Sequence, residues 1–306
     1  MQDEMSQVDM RDAVFEEVYK LAKQDKSTFF LTADMGAFTL AKFREEMPQQ
    51  FFNLGIAEQN MINVAAGMAL SGKTVFVHSL IPFAVMRCFE QIKVNASGME
   101  LPIIIVGGGP GFTYENDGPT HHGLEDIACM RSLDNMKICN PCDSYSAASA
   151  VRILYKSRGP GYIRMDKGKW PQMYHKEDVR RGYLFLDGGR KELIVSTGTL
   201  SHRAYRYYSK NKNDSSFLDV FRLDSFDHQK MKVKLTDFEE IRIFEENVSA
   251  GGLADIIRGA CLEQDADIRF DAKSAKNSPG KRQYGDRNFL LKSNGLLYGE
   301  GDNCGS

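Results

Sequence analysis

Short apolar runs alternating with stretches of helical spacing constrain this chain more than any other feature. Residues 28–32, 51–54, 74–77, 103–106, 136–139 and 161–165 each have the length and apolar content of a buried strand. Between them, 10–24, 58–70, 83–96, 127–133 and 144–156 carry apolar residues at helical intervals. Strands alternating with helices at this spacing predict a mainly parallel, doubly wound α/β sheet. A charged break follows from about Lys167 to Gly182, with Trp170-Pro171 inside it. The pattern then restarts with strands over 192–198, 216–223 and 240–244 and helices from Arg203 and Ser249. The expected organisation is a first domain over 1–170, a linker over 171–181, and a smaller α/β domain over 182–306. The last domain ends in a polar tail from Lys273, low in apolar content, about whose structure the sequence says little.

A chain of 306 residues is long enough for two such cores. Its formal net charge of −2 gives no electrostatic case for nucleic acid or an anionic membrane. The acidic, polar start is not a secretory signal, and no apolar run approaches the roughly 20 residues that span a bilayer. Among six cysteines, Cys139 and Cys142 have C-x-x-C spacing with no second pair to complete a zinc site. A redox pair is one reading; reduced thiols in a cytoplasmic protein is the simpler one.

Two stretches can carry chemistry. Glu58 opens a helix over 56–70 that is apolar on nearly every face, so the helix is expected to be buried. A carboxylate there must be paired or kept protonated. Either it is a structural group satisfied by a neighbour, or it exchanges a proton with a bound heterocycle. The second stretch is Asp117-Gly118-Pro119-Thr120-His121-His122, a turn dense in acid, hydroxyl and imidazole. Adjacent histidines in extended backbone point to opposite sides, so one of them is expected to face a site; the same spacing disfavours a shared metal ion. The glycine-rich run over 107–111 follows a strand, but no helix follows it as a dinucleotide fingerprint requires. It reads as a loop whose backbone comes close to something. Asp34 lies just past the first strand, where open α/β sheets collect ligands.

In order and spacing, Gly55-Ile56-Ala57-Glu58-Gln59-Asn60-Met61, Asp117-Gly118-Pro119-Thr120-His121, Asn140-Pro141-Cys142-Asp143, Gly159-Pro160 and Glu245-Glu246 with Gly251-Gly252-Leu253 resemble the transketolase family of thiamine diphosphate enzymes. The resemblance covers the pyrimidine-binding and C-terminal domains, from about Arg11 to Leu262. It implies that Glu58 hydrogen-bonds the cofactor's aminopyrimidine and so promotes proton loss from the thiazolium carbon. It further implies that Phe83 stacks on that ring and that Asp34 is the acid of an Ala-Asp pair near the cofactor. Asp117 and His121 match residues that contact substrate oxygens, and Arg11 and Lys167 fall where cations bind a sugar-phosphate end. Family members hold the diphosphate and its Mg²⁺ through a Gly-Asp-Gly motif on a separate domain. That motif is not recognisable in this chain, and Gly301-Asp302-Asn303 lacks the strand context to replace it. The implied protein is the C-terminal subunit of a split transketolase, completed by a diphosphate-binding N-terminal subunit in a heterotetramer. Its exposed contact surface is expected to be a helix face rich in small residues.

Departures from the family pattern bear on the substrate. Gly109 stands where a substrate-side His is usual, Phe38 where a phosphate-binding Ser is usual, His122 replaces a Gln, and Lys167 replaces an Arg that would bind phosphate in a bidentate way. A modified or nucleotide-linked sugar is the expected substrate class. Two other readings stay open: the β subunit of a 2-oxo acid dehydrogenase, against which the Asp117–His121 loop argues, and a non-catalytic scaffold subunit.

Overall fold

The computed structural model describes residues 8–230, 234–264, 268–276 and 284–296. Gly301, Asp302, Asn303 and Cys304 therefore lie outside the described residues. The first sheet has six strands, β1 (Thr28–Thr32), β2 (Phe51–Asn53), β3 (Thr74–Leu80), β4 (Ile103–Gly108), β5 (Lys137–Cys139) and β6 (Gly161–Met165). Their order is β2-β1-β3-β4-β6-β5, and every pairing is parallel.

Alternate residues along these strands feed two opposite apolar layers, which is why the strands read as continuous apolar runs. Leu31, Val75, Val77, Ile103 and Ile105 pack with helix α3 (Glu58–Leu70) and a helical run from Pro82 to Ser97. That run holds a short α4 (Phe89–Gln91) between π-type turns at Pro82–Met86 and Ile92–Ser97. On the other face Phe30, Phe76, Ile104 and Val106 meet α1 (Met10–Gln24) and α6 (Ser144–Ser157). In α1, buried Met10, Val14, Phe15, Val18, Tyr19 and Ala22 recur at the three- and four-residue intervals of one helix face. Asp143 caps α6 through the Ser146 amide at 2.6 Å, and its second oxygen accepts from the Met173 and Tyr174 amides at 2.7 and 2.8 Å. One carboxylate thus starts a helix and anchors the segment that leaves the first sheet. The layer also contains α2 (Phe38–Glu46), which the sequence pattern did not predict. The remaining helix of this unit, α5 (Asp126–Arg131), follows the histidine loop.

After α7 (Lys176–Arg181), a second sheet forms from β7 (Tyr183–Leu186), β8 (Glu192–Ser196), β9 (Ser215–Val220), β10 (Glu240–Glu245) and β11 (Arg269–Ser274). Its order is β11-β10-β8-β9-β7, parallel except for the antiparallel edge pair β7–β9. Helices α8 (Ser201–Lys210) and α9 (Leu253–Glu263) flank it. Hydrogen bonds from Asn140 to the Phe221 carbonyl (2.9 Å) and from Leu223 to the Ile138 carbonyl (3.0 Å) join the β5 edge to the chain beyond β9. The tail carries more structure than its composition predicted. β11 runs through Ser274, and α10 (Arg287–Ser293) buries Leu290 and Leu291. Among the described residues no helix is long and apolar enough to cross a membrane.

Two expectations about α3 are corrected. The helix is not apolar all round: Gln59, Asn60, Asn63, Gly67 and Leu70 form an exposed face. Its small residues Ala65, Ala66 and Ala69 are buried in the protein's own core rather than presented outward, because they let the helix lie close to the sheet.

Candidate active site

The residues singled out from the sequence gather where the parallel strands of the first sheet end. Asp34 follows β1, Glu58 follows β2, Phe83 follows β3, the 109–122 loop follows β4, and Lys167 follows β6. The carboxyl edge of such a sheet is where backbone leaves the ladder and side chains from successive strands converge.

Glu58 is 3 % exposed at the first turn of α3. Of the two states open to a buried carboxylate, the paired one is observed. Arg87 Nη1 donates to Oε2 at 2.9 Å and the Ser79 hydroxyl donates to Oε1 at 3.3 Å. The same guanidinium lies over the Phe83 ring, 4.2 Å from its centroid; Phe83 is in the π-type turn and Arg87 closes it. Arg87 was not anticipated; its spacing of four from Phe83 is the only sequence signal it leaves. Nearby, the Cys88 thiol donates to the Phe83 carbonyl at 3.0 Å, and burial together with the Glu58 charge pushes it up to about 12. Cys139 and Cys142 are likewise buried and raised by burial, so neither has the low-pKa thiolate of a redox pair.

From Phe83 the contacts continue into the loop. The His121 ring meets Phe83 edge-on at 5.3 Å, its Nδ1 is 3.0 Å from the Thr120 hydroxyl, and Tyr114 stands 6.5 Å away. Lys167 Nζ lies over the Tyr114 ring at 5.2 Å, and burial raises the Tyr114 hydroxyl above its ordinary value. His122 faces differently. It is 5 % exposed, edge-on to Phe112, with Nε2 3.2 Å from the Glu115 carbonyl, and burial lowers its pKa. The two adjacent rings thus have different neighbours, Phe83 and Thr120 for His121 and Phe112 and the Glu115 carbonyl for His122. Asp117 is exposed on the turn Glu115–Asp117.

The loop is closed at its neck by reciprocal hydrogen bonds between Gly111 and Gly123, at 2.8 and 3.0 Å. Gly111 has φ +59°, and a Cβ there would run into the Glu246 side chain. The glycine run thus comes close to another part of the protein itself. Arg164 braces the neck from β6, donating to the Gly123 carbonyl at 2.8 Å and to Asp126 at 2.9 Å.

Arg11 and Lys167 are brought together by Asp9. Its carboxylate accepts from the Arg11 amide at 2.8 Å and the Gly168 amide at 2.7 Å, and the Met10 amide returns a bond to the Gly168 carbonyl. Beneath them, His78 donates from Nδ1 to the Val106 carbonyl at 2.8 Å, and burial, aided by Arg11, pushes it down to about 4. Asp34 sits apart from this line. It has φ +55°, and the Asn53 side chain bonds both its amide (3.0 Å) and its carboxylate (3.2 Å) while also accepting from Gly55.

A shielded carboxylate beside an aromatic face suits the pyrimidine end of a thiamine cofactor, which needs one ring-nitrogen contact and one stacking surface. Among the described residues no group of three His, Cys, Asp or Glu side chains could hold a metal ion.

A family model, the transketolase pyrimidine-binding domain, matches residues 6–172. The chain is 31 % identical over 267 residues to an apulose-4-phosphate transketolase subunit of Phocaeicola vulgatus, covering 85 % of this chain and 86 % of that one. It is 32 % identical over 253 residues to a putative transketolase C-terminal section of Methanocaldococcus jannaschii, covering 80 % and 79 %. Among solved structures, a split-gene transketolase in an inactive β4 tetramer superposes with a TM-score of 0.81 at 25 % identity, covering 95 % of each chain.

Proposed function

Because this chain belongs to the thiamine diphosphate-dependent transketolase family, we propose that it is the C-terminal subunit of a split transketolase. With a diphosphate-binding partner subunit, which supplies the Mg²⁺ site, it moves a two-carbon ketol unit between sugar-like carbonyl compounds. The observation that carries this reading is the unbroken run of contacts Glu58–Arg87–Phe83–His121–Tyr114–Lys167 along one sheet edge. It joins a cofactor end to an anion end.

Thiamine diphosphate, when bound, supplies the carbon nucleophile that cleaves a bond beside a carbonyl. This chain's part is to hold and activate. Glu58 holds or gives up a proton at a pyrimidine nitrogen, in a site where low dielectric strengthens that single contact. Phe83 provides the stacking face, and Asp34 borders the cofactor from β1. With Nδ1 engaged by Thr120, His121 uses Nε2 to donate to or accept from a substrate oxygen. Asp117 completes the hydroxyl-binding loop, with buried His122 fixing that loop from behind through the Glu115 carbonyl rather than touching substrate, and Arg11 and Lys167 take the anionic end of the sugar. Relatives named for apulose-4-phosphate support a phosphorylated, modified sugar over an ordinary pentose phosphate. The working part is the domain over 1–170, with 182–306 as the C-terminal domain.

The test is reconstitution. The chain is co-expressed with a transketolase subunit bearing the diphosphate motif, and products from ketose-phosphate donors are analysed. Ketol transfer by the pair and none by either subunit alone is the expected outcome. Decarboxylation of a 2-oxo acid without ketol transfer would overturn the reading.

A further inference from the structure

The tail reaches back to the histidine loop through Tyr284 and Arg287. The Arg287 amide donates to the Glu115 carboxylate, at the head of the turn that carries Asp117. Its guanidinium forks onto Glu246, with Nε to Oε1 at 3.0 Å and Nη2 to Oε2 at 2.8 Å, and also reaches Asp166 at 2.8 Å. Both carboxylates in turn hold the loop. Glu246 accepts from the Phe112 amide at 2.8 Å, and Asp166 accepts from the Thr113 hydroxyl and the Lys167 amide, each at 2.8 Å. Asp166 is 2 % exposed and Glu246 5 %. Two buried carboxylates side by side repel unless a cation lies between them, and Arg287 is that cation. At the other end of the loop the Tyr284 ring covers Gly118, whose φ is +76°; a Cβ there would collide with the ring.

We infer that Arg287 and Tyr284 are positioning residues that set the Asp117–His121 loop, and with it Lys167, for substrate. They touch neither Glu58 nor Phe83 among the contacts described, so they act on the substrate end and leave the cofactor end alone. The inference rests on the reading of this loop as substrate-binding, but its structural half does not.

Tyr284 is 65 % exposed, so Tyr284→Ala removes the cover on Gly118 with little cost to the core. Arg287→Lys keeps the charge but loses the fork. Both variants are made in the full chain. Hydrogen exchange is followed on the chain alone, and kinetics are measured with the partner subunit. Exchange over 112–122 is expected to speed up about tenfold or more in both variants, while amides of β3 and α3 keep their rates. KM for the ketose donor is expected to rise about tenfold in both variants, with kcat changed less than about threefold. Unchanged exchange over 112–122 in both variants would overturn the strut, as would acceleration spread over both sheets, or a kcat loss at constant KM. His121→Ala separates the two claims. If that variant leaves KM and turnover intact, the substrate reading fails, while the exchange data still decide whether the tail sets the loop.

Discussion

Glu58 and Arg87 show what one residue's surroundings decide. A carboxylate opening an apolar helix was visible in the sequence, as was its need for a partner. Which partner it takes was not, because Arg87 lies 29 residues away and is brought in by the turn after β3. His121 was legible from its motif, whereas its edge-on contact with Phe83 depends on the whole 111–123 loop folding back. For Glu58→Gln, shape is kept and the charge is lost. The variant should assemble with its partner, as judged by size-exclusion chromatography, and lose about a hundredfold or more in steady-state turnover. Undiminished turnover would take Glu58 out of the mechanism.

Elements were legible in proportion to how much apolar surface they bury. Five of the six strands of the first sheet are largely buried and read plainly; the edge strand β2 is half out, with Phe52 and Asn53 exposed. By contrast, α2 has Ala37 at its N-cap, which offers no capping side chain, and α10 has only seven residues, whose one local signal is the Asp286 cap on the Phe289 amide and which is otherwise held by Leu290, Leu291 and Arg287. The end of β10 carries a testable charge. Glu245 accepts from the Leu253 amide at 2.6 Å at the start of α9, and burial pushes it from 4.5 up to about 7. A carboxyl raised in the folded state contributes stability below about pH 4.5 that is lost as the pH climbs through about 7. Asp219, also raised by burial to about 7, has the same sign. His78, lowered to about 4, has the opposite one: its contribution is present above about 6.5 and is lost as the pH falls. The informative quantity is therefore the difference between proteins. Melting temperature followed from pH 4 to pH 8, with Glu245→Gln beside the parent, should show the variant gaining on the parent as pH rises through about 4.5 to 7. Parallel curves would refute the assignment.

For the whole molecule, the alternation of strands and helices was enough to foresee two α/β sheets, but not the antiparallel edge strand β7 or the return of the tail. Both depend on contacts between distant segments that leave no local period. The contact surface was also misread. The alanines of α3 face inward and only Gly67 among its small residues is exposed, while the apolar side chains left outside are larger: Phe38 is 87 % exposed, Ile56 77 % and Leu70 67 %. If these meet a partner subunit, Ile56→Glu should weaken association by about tenfold or more in sedimentation measurements. The same variant should leave the melting temperature of the chain alone within about 2 °C, since an exposed site away from the core contributes little. Unweakened association would move the interface elsewhere.

The link from Arg287 to Asp166 spans 121 residues and ends near the last described helix. A chain emerging from the ribosome folds its leading portion first. Both sheets can therefore be in place while the carboxylates under the histidine loop still wait for their cation. The loop lies early in the chain, but the side chain that neutralises its carboxylates is among the last described residues. A chain ended before residue 284 would keep every strand of both sheets and lose the guanidinium that lies between Asp166 and Glu246.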